Sequence, residues 1–185
     1  MRDFLEIART LGFTEAVLRS DLSLTSRAES RAYCNPEQCP NHGQNWVCPP
    51  GCGTLEECAE RVREFSEGIL LQSVTELIPP TELETYKALN RAHNARLKEL
   101  IEAVKPVVDK LLPLTTGGCS FCVECSYPEP CLRPDVKMES LSAFGIDVGE
   151  LCEKAGLDYS FRKDRVYFTA LLLFVRVNQD DRIIT

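Results

Sequence analysis

Apolar and polar positions alternate along this chain in two rhythms. Near the start, Phe4, Leu5, Ala8 and Leu11 recur at helical spacing, and Gly12 follows as a stop, so residues 2–11 read as a short amphipathic helix. Residues 13–24 mix the two signals and lean towards a strand. Thr54 with Glu57 three residues on forms a capping-box pattern, which opens a helix running to about Ser66 and ending at Gly68. ILLQSVTEL then reads as a strand. Pro79, Pro80 and Thr81 open a long helix over 81–111. Its face runs Leu83, Tyr86, Asn90, His93, Leu97, Leu100, Val104, Val107 and Leu111, with Pro106 as a kink or restart. LPLTT is a short strand, helices follow near 139–144 and 147–155, and RVYFTALLLFVRV is a strand long enough to sit centrally in a sheet.

Strand, long helix and strand in succession predict a βαβ crossover. The expected fold is α/β, with α+β the neighbouring class: a small mixed sheet, helices packed on it, and two cysteine-rich metal loops. One domain over 1–185 suits the 185-residue length. Within it lie a cysteine-rich loop at 33–58, the helix at 81–111 and a second cysteine-rich loop at 117–134.

Those loops carry the chemistry. The chain has ten cysteines. Its first residues place Asp3, Glu6 and Arg9 among the apolar ones and so do not read as a signal peptide. The expected setting is cytoplasmic, where structural disulfides are unusual and metal binding is the leading use of many thiols. A net charge of −7 with no basic stripe argues against nucleic acid. No apolar run reaches the roughly 18 residues of a membrane span, which argues against a membrane.

CSFCVECSYPEPC places Cys119, Cys122, Cys125 and Cys131 at spacings C-x2-C-x2-C-x5-C. Cysteines at i, i+3 and i+6 let one loop approach three corners of a metal–sulfur cube, as in bacterial ferredoxins. Structural zinc usually takes pairs of cysteines from separated segments. Gly117 and Gly118 allow a tight bend just before the run. Upstream, Cys34, Cys39, Cys48 and Cys52 are spaced C-x4-C-x8-C-x3-C in a loop rich in Pro, Gly and Asn. This irregular spacing also argues for metal, because ligation would order such a loop. His42 is a further ligand candidate or a solvated loop histidine. Trp46 either shields the site or anchors the core. Cys58 and Cys152 read as buried thiols. Asn90 and His93 are either a satisfied buried pair or the lining of a pocket in which His93 moves a proton. Arg133 either offsets cluster charge or makes a surface ion pair.

The stretch CPNHGQNWVCPPG resembles the pattern C-x-x-(Y/H)-G-x-x-W-x-C-P-P of a family of predicted metal-binding proteins found in anaerobic bacteria and archaea. GGCSFCVECSYPEPCLRP, MESLSAFGIDV and AGLDY are similar to that family's later motifs. The resemblance covers roughly residues 30–175. It implies a cytoplasmic iron–sulfur protein with Cys34, Cys39, Cys48, Cys119, Cys122, Cys125 and Cys131 as ligands. The leading expectation is an iron–sulfur protein holding one or two 4Fe-4S clusters and passing electrons to a redox partner protein. Two alternatives stand beside it. One is an enzyme using an open iron of a three-cysteine cluster as a Lewis acid, and the other is a structural zinc protein. Whether the chain forms a homo-oligomer is left open.

Overall fold

The computed structural model describes residues 3–20, 24–76, 82–160, 162 and 164–177. Helix α1 (Phe4–Thr10) is capped by the Asp3 carboxylate, which accepts from the Leu5 amide at 2.9 Å. Strand β1 (Glu15–Arg19) follows. A single-turn helix α2 (Ala28–Arg31), not foreseen in the sequence, leads into the first cysteine loop and buries no side chain. Helix α3 (Leu55–Arg63) starts at Thr54 with both bonds of the capping box formed. It ends earlier than its sequence suggests, because Gly68 belongs to β2 (Glu67–Glu76). A Cβ at Gly68 would lie 2.8 Å from Leu173 Cδ2, so this glycine lets two strands pack closely and stops no helix.

Helix α4 (Leu83–Val104) occupies the long apolar stripe, although its expected opening at 79–81 lies outside the described residues. Pro106 neither kinks nor restarts it. One 3₁₀ turn at Lys105–Val107 closes the helix, and the chain extends directly into β3 (Val108–Thr115). Leu111 therefore belongs to a strand. The pull of the run LLPLT towards a neighbouring strand overrides the helical period. The helix expected near 139–144 is also absent: Glu139–Ser140 form a short strand β4, followed by turns. Helix α5 (Val148–Lys154) and strand β5 (Arg165–Arg176) follow as foreseen.

Among the described residues, five strands line up as β1-β2-β5-β3-β4. β5 is central and antiparallel to both β2 and β3. β2 and β3 are therefore parallel to each other, and α4 is their crossover, with β5 inserted between them. The fold is mixed α/β. β4 returns parallel to β3, pairing Glu139 with Leu114 and Ser140 with Thr115.

Alternation along the strands divides the core. Ile69, Leu71, Leu172 and Phe174 face α1 and α4, whereas Leu70, Leu171 and Leu173 pack with Val62, Phe144 and Leu151 on the other face. Both faces of β5 are covered, which accounts for its unbroken apolar run. No helix among the described residues is long and apolar enough to cross a membrane.

Candidate metal centre

The second cysteine loop is an excursion between two paired strands. It leaves β3 at Thr115 and returns at Glu139, so the sheet pins both ends. Gly117 adopts φ +95° to turn the chain, a conformation other residues rarely take. Phe121 packs on the α1/α4 core, flanked by the cations of Lys98 (5.2 Å) and Arg133 (5.7 Å). Arg133 also bonds Glu102 of α4 at 3.2 Å, which ties the loop to the helix.

Cys119, Cys122, Cys125 and Cys131 all line one cavity, together with Trp46, Val47 and Lys137. Burial pushes the Cys119 thiol up, against the backbone hydrogen bonds of Phe121 and Met138.

Trp46 and Val47 come from the first cysteine loop, so the two loops meet. The Trp46 indole N–H donates to the Glu129 carbonyl at 2.7 Å, and its ring meets Tyr127 edge-on at 5.1 Å. A Cβ at Gly51 would lie 3.0 Å from Tyr127, and one at Gly118 would lie 3.7 Å from Asn45. Trp46 lines the cavity of the other loop's thiols, 73 residues from Cys119 in the chain.

The first loop is built from local bonds. The Asn35 side chain accepts from the Glu37 and Gln38 amides, and the Cys39 amide donates to the Asn35 carbonyl. The Cys52 amide donates to the Cys48 carbonyl. Cys34, Cys39 and Cys48 lie within each other's electrostatic reach. Burial lifts Cys48 to about 11, and the fields of Cys39 and Cys34 add to it. Burial likewise raises Cys34, which the Ser142 side chain partly offsets. His42 is half-buried in the same loop.

Cys52 follows Cys48 by one hydrogen-bonded turn. It pairs with Cys58 under the Arg31 guanidinium, whose Nη2 lies 3.6 Å from Cys52 Sγ and whose Nη1 lies 3.7 Å from Cys58 Sγ. Nearby, the fully buried Glu139 carboxylate takes Arg61 and Lys137 on Oε1 and leaves Oε2 without a partner. Lys137 also lines the cavity of the second loop. Arg31, Lys137 and Glu139 were not singled out in the sequence. Arg31 stands three residues before Cys34, and that spacing was the one available signal.

No group of three or more His, Cys, Asp or Glu side chains among the described residues is gathered closely enough to hold a single metal ion. The family comparison is nonetheless clear: the model of the predicted metal-binding protein family DUF2284 matches residues 21–174. The chain belongs to this family. The match spans both cysteine loops, strands β2 to β4 and most of β5, so metal binding is the family's general character here. No curated protein matches the chain. No solved structure matches it either.

Three further residues of this DUF2284 chain lie outside the loops. His93 is fully buried, with Nδ1 2.9 Å from Ser73 Oγ and Phe13 and Phe168 against its ring. Asn90 accepts a long bond (3.4 Å) from Asn94, which in turn accepts from Thr115 at 2.8 Å. Cys152 is a fully buried thiol beside Gln72.

Proposed function

We propose that Cys119, Cys122, Cys125 and Cys131 hold a 4Fe-4S cluster and that the protein passes single electrons to a partner protein. The observation that carries this is the single cavity lined by all four thiols of the C-x2-C-x2-C-x5-C run. When bound, such a cluster supplies one-electron redox chemistry at a potential set by charge, hydrogen bonding and solvent access.

The chain's own groups suit that role. Arg133 and Lys137 at the cavity offset the negative charge of ligating thiolates. Trp46, Val47 and Phe121 keep water away. The raised Cys119 thiol must give up its proton when it ligates, so loading releases protons and weakens as pH falls. Val123 and Leu132, large apolar side chains beside the ligand positions, are exposed. They bring a partner's surface near the thiols.

A second centre at Cys34, Cys39 and Cys48 is part of the same reading. Where Cys52 stays with Cys58 and Arg31, this trio is one thiolate short of a closed site, and where Cys52 ligates, the site is closed. The first case supports a second use, in which an open metal position binds a small hydroxyl, carboxylate or sulfur ligand. Cyanide binding, seen as a changed electron paramagnetic resonance signal, separates the two: a fully thiolate-ligated cluster does not respond. The ligand assignment is tested by reducing the anaerobically purified protein and recording its paramagnetic signal in wild type and in Cys125→Ala. Loss of one signal in the variant supports the assignment, and an unchanged spectrum refutes it.

A further inference from the structure

Cys52, the last cysteine of the upstream set, has Cys58 as its neighbour. Cys52 precedes α3 and Cys58 lies in its first turns, so the Thr54 cap fixes their relative position. Both are buried, at 5% and 0% exposure. Cys58 Sγ lies 3.5 Å from the Cys52 carbonyl, and adjacent nitrogens of one guanidinium touch the two sulfurs. Arg31 is held in place by its bond to the Gly53 carbonyl at 2.5 Å.

We infer that Cys52 and Cys58 are a redox-active dithiol, the internal two-electron partner of the metal centre, which closes to a disulfide when oxidised. This rests on the electron-transfer reading above.

The two thiols are neighbours: Cys58 Sγ donates to the Cys52 carbonyl at 3.5 Å, Cys52 Sγ to the Gly53 carbonyl at 3.7 Å, and the Arg31 guanidinium lies against both sulfurs. Reduction of the disulfide breaks the Sγ–Sγ bond and takes two electrons, supplied singly by a one-electron carrier protein; a cluster held by Cys119, Cys122, Cys125 and Cys131 would supply the one-electron relay. One proton from solvent ends on Cys52, and Cys58 is left as a thiolate facing Arg31. Oxidation is the reverse, returning two electrons and the proton. Burial matters here: thiol–disulfide exchange needs a sulfur to arrive in line at the bond, and this pair admits no protein thiol. Electrons cross packed protein without such access. The field of Arg31 stabilises the reduced form and so raises the pair's potential.

The test uses the full, metal-loaded chain. It is poised anaerobically across a range of potentials and then quenched in denaturing acid. The state of each thiol is read by alkylation and peptide mass, with iron and sulfide measured on the same samples. The expected result is a single two-electron step in which Cys52 and Cys58 together lose their alkylation, while Cys152, equally buried but isolated, keeps its label throughout. Cys58→Ser abolishes the step with iron and sulfide unchanged. Arg31→Gln, which leaves both sulfurs in place, moves the step to a more negative potential and carries the test should Cys58→Ser misfold. Both thiols staying labelled at every potential at which the metal is retained overturns the inference. So does a loss of iron in Cys52→Ser, which makes Cys52 a ligand. A chain without iron or sulfide that still shows the step refutes the cluster reading, and with it the metal route for these electrons.

Discussion

His93 gives the most quantitative test of the structure. Its imidazole is enclosed by Phe13, Phe168 and Ser73, and its Nε2 has no partner. Burial pushes it down to about 4 from an ordinary 6.5, and the Arg96 cation pushes the same way. The unfolded chain takes up this proton near 6.5, the folded chain only near 4. Between those values the unfolded state binds more protons, so stability falls as pH falls. At about 1.4 kcal/mol per unit, the penalty grows from zero near 6.5 to about 3 kcal/mol by pH 4, then levels. The assay is urea unfolding of wild type and His93→Gln from pH 7 to 4.5. Acid loss of metal is common to both proteins and cancels in the difference. The variant's stability deficit narrows by about 2 kcal/mol over that range. Parallel curves would falsify the reasoning, since they mean that the imidazole charges in place without cost. With only two histidines in the chain, His42 and His93, an NMR titration separates them and checks the same point.

Three further results are expected. Trp46→Ala removes the bond to the Glu129 carbonyl and the Tyr127 contact; it lowers stability by about 2 kcal/mol and speeds iron loss to a chelator, and unchanged release kinetics count against the cover role. Cys122→Ala lowers iron by one cluster's worth, whereas Cys152→Ala leaves it alone; equal iron in both refutes the ligand assignment. Glu139→Gln leaves Arg61 and Lys137 facing a neutral amide and costs about 3 kcal/mol in thermal unfolding, and a loss under 1 kcal/mol means that the carboxylate is not the buried hub described here.

Much of the frame was legible because it is written locally. The Thr54–Glu57 capping box, the apolar stripe of α4 and the continuous run of β5 each follow from neighbours in sequence. The errors arise where distant partners decide. Leu111 continues a helical period but joins β3 because Phe174 of β5 lies opposite it. Glu139 and Ser140 become a strand because β3, 25 residues earlier, offers an edge. The cysteine runs were visible by spacing, and all four thiols of the later run do share a cavity. That Trp46 would line that cavity could not be read, because it depends on two loops meeting. Nor could the place of Arg31, whose guanidinium touches the sulfurs of both Cys52 and Cys58.

The central claim is that the thiols of the second loop hold an iron–sulfur cluster. Its most direct test is the iron and acid-labile sulfide content per chain of protein purified without oxygen, with the visible spectrum recorded alongside. The account predicts iron and sulfide in equal amounts, about four of each for one cluster or about eight for two. Zinc without sulfide in a colourless protein would contradict it.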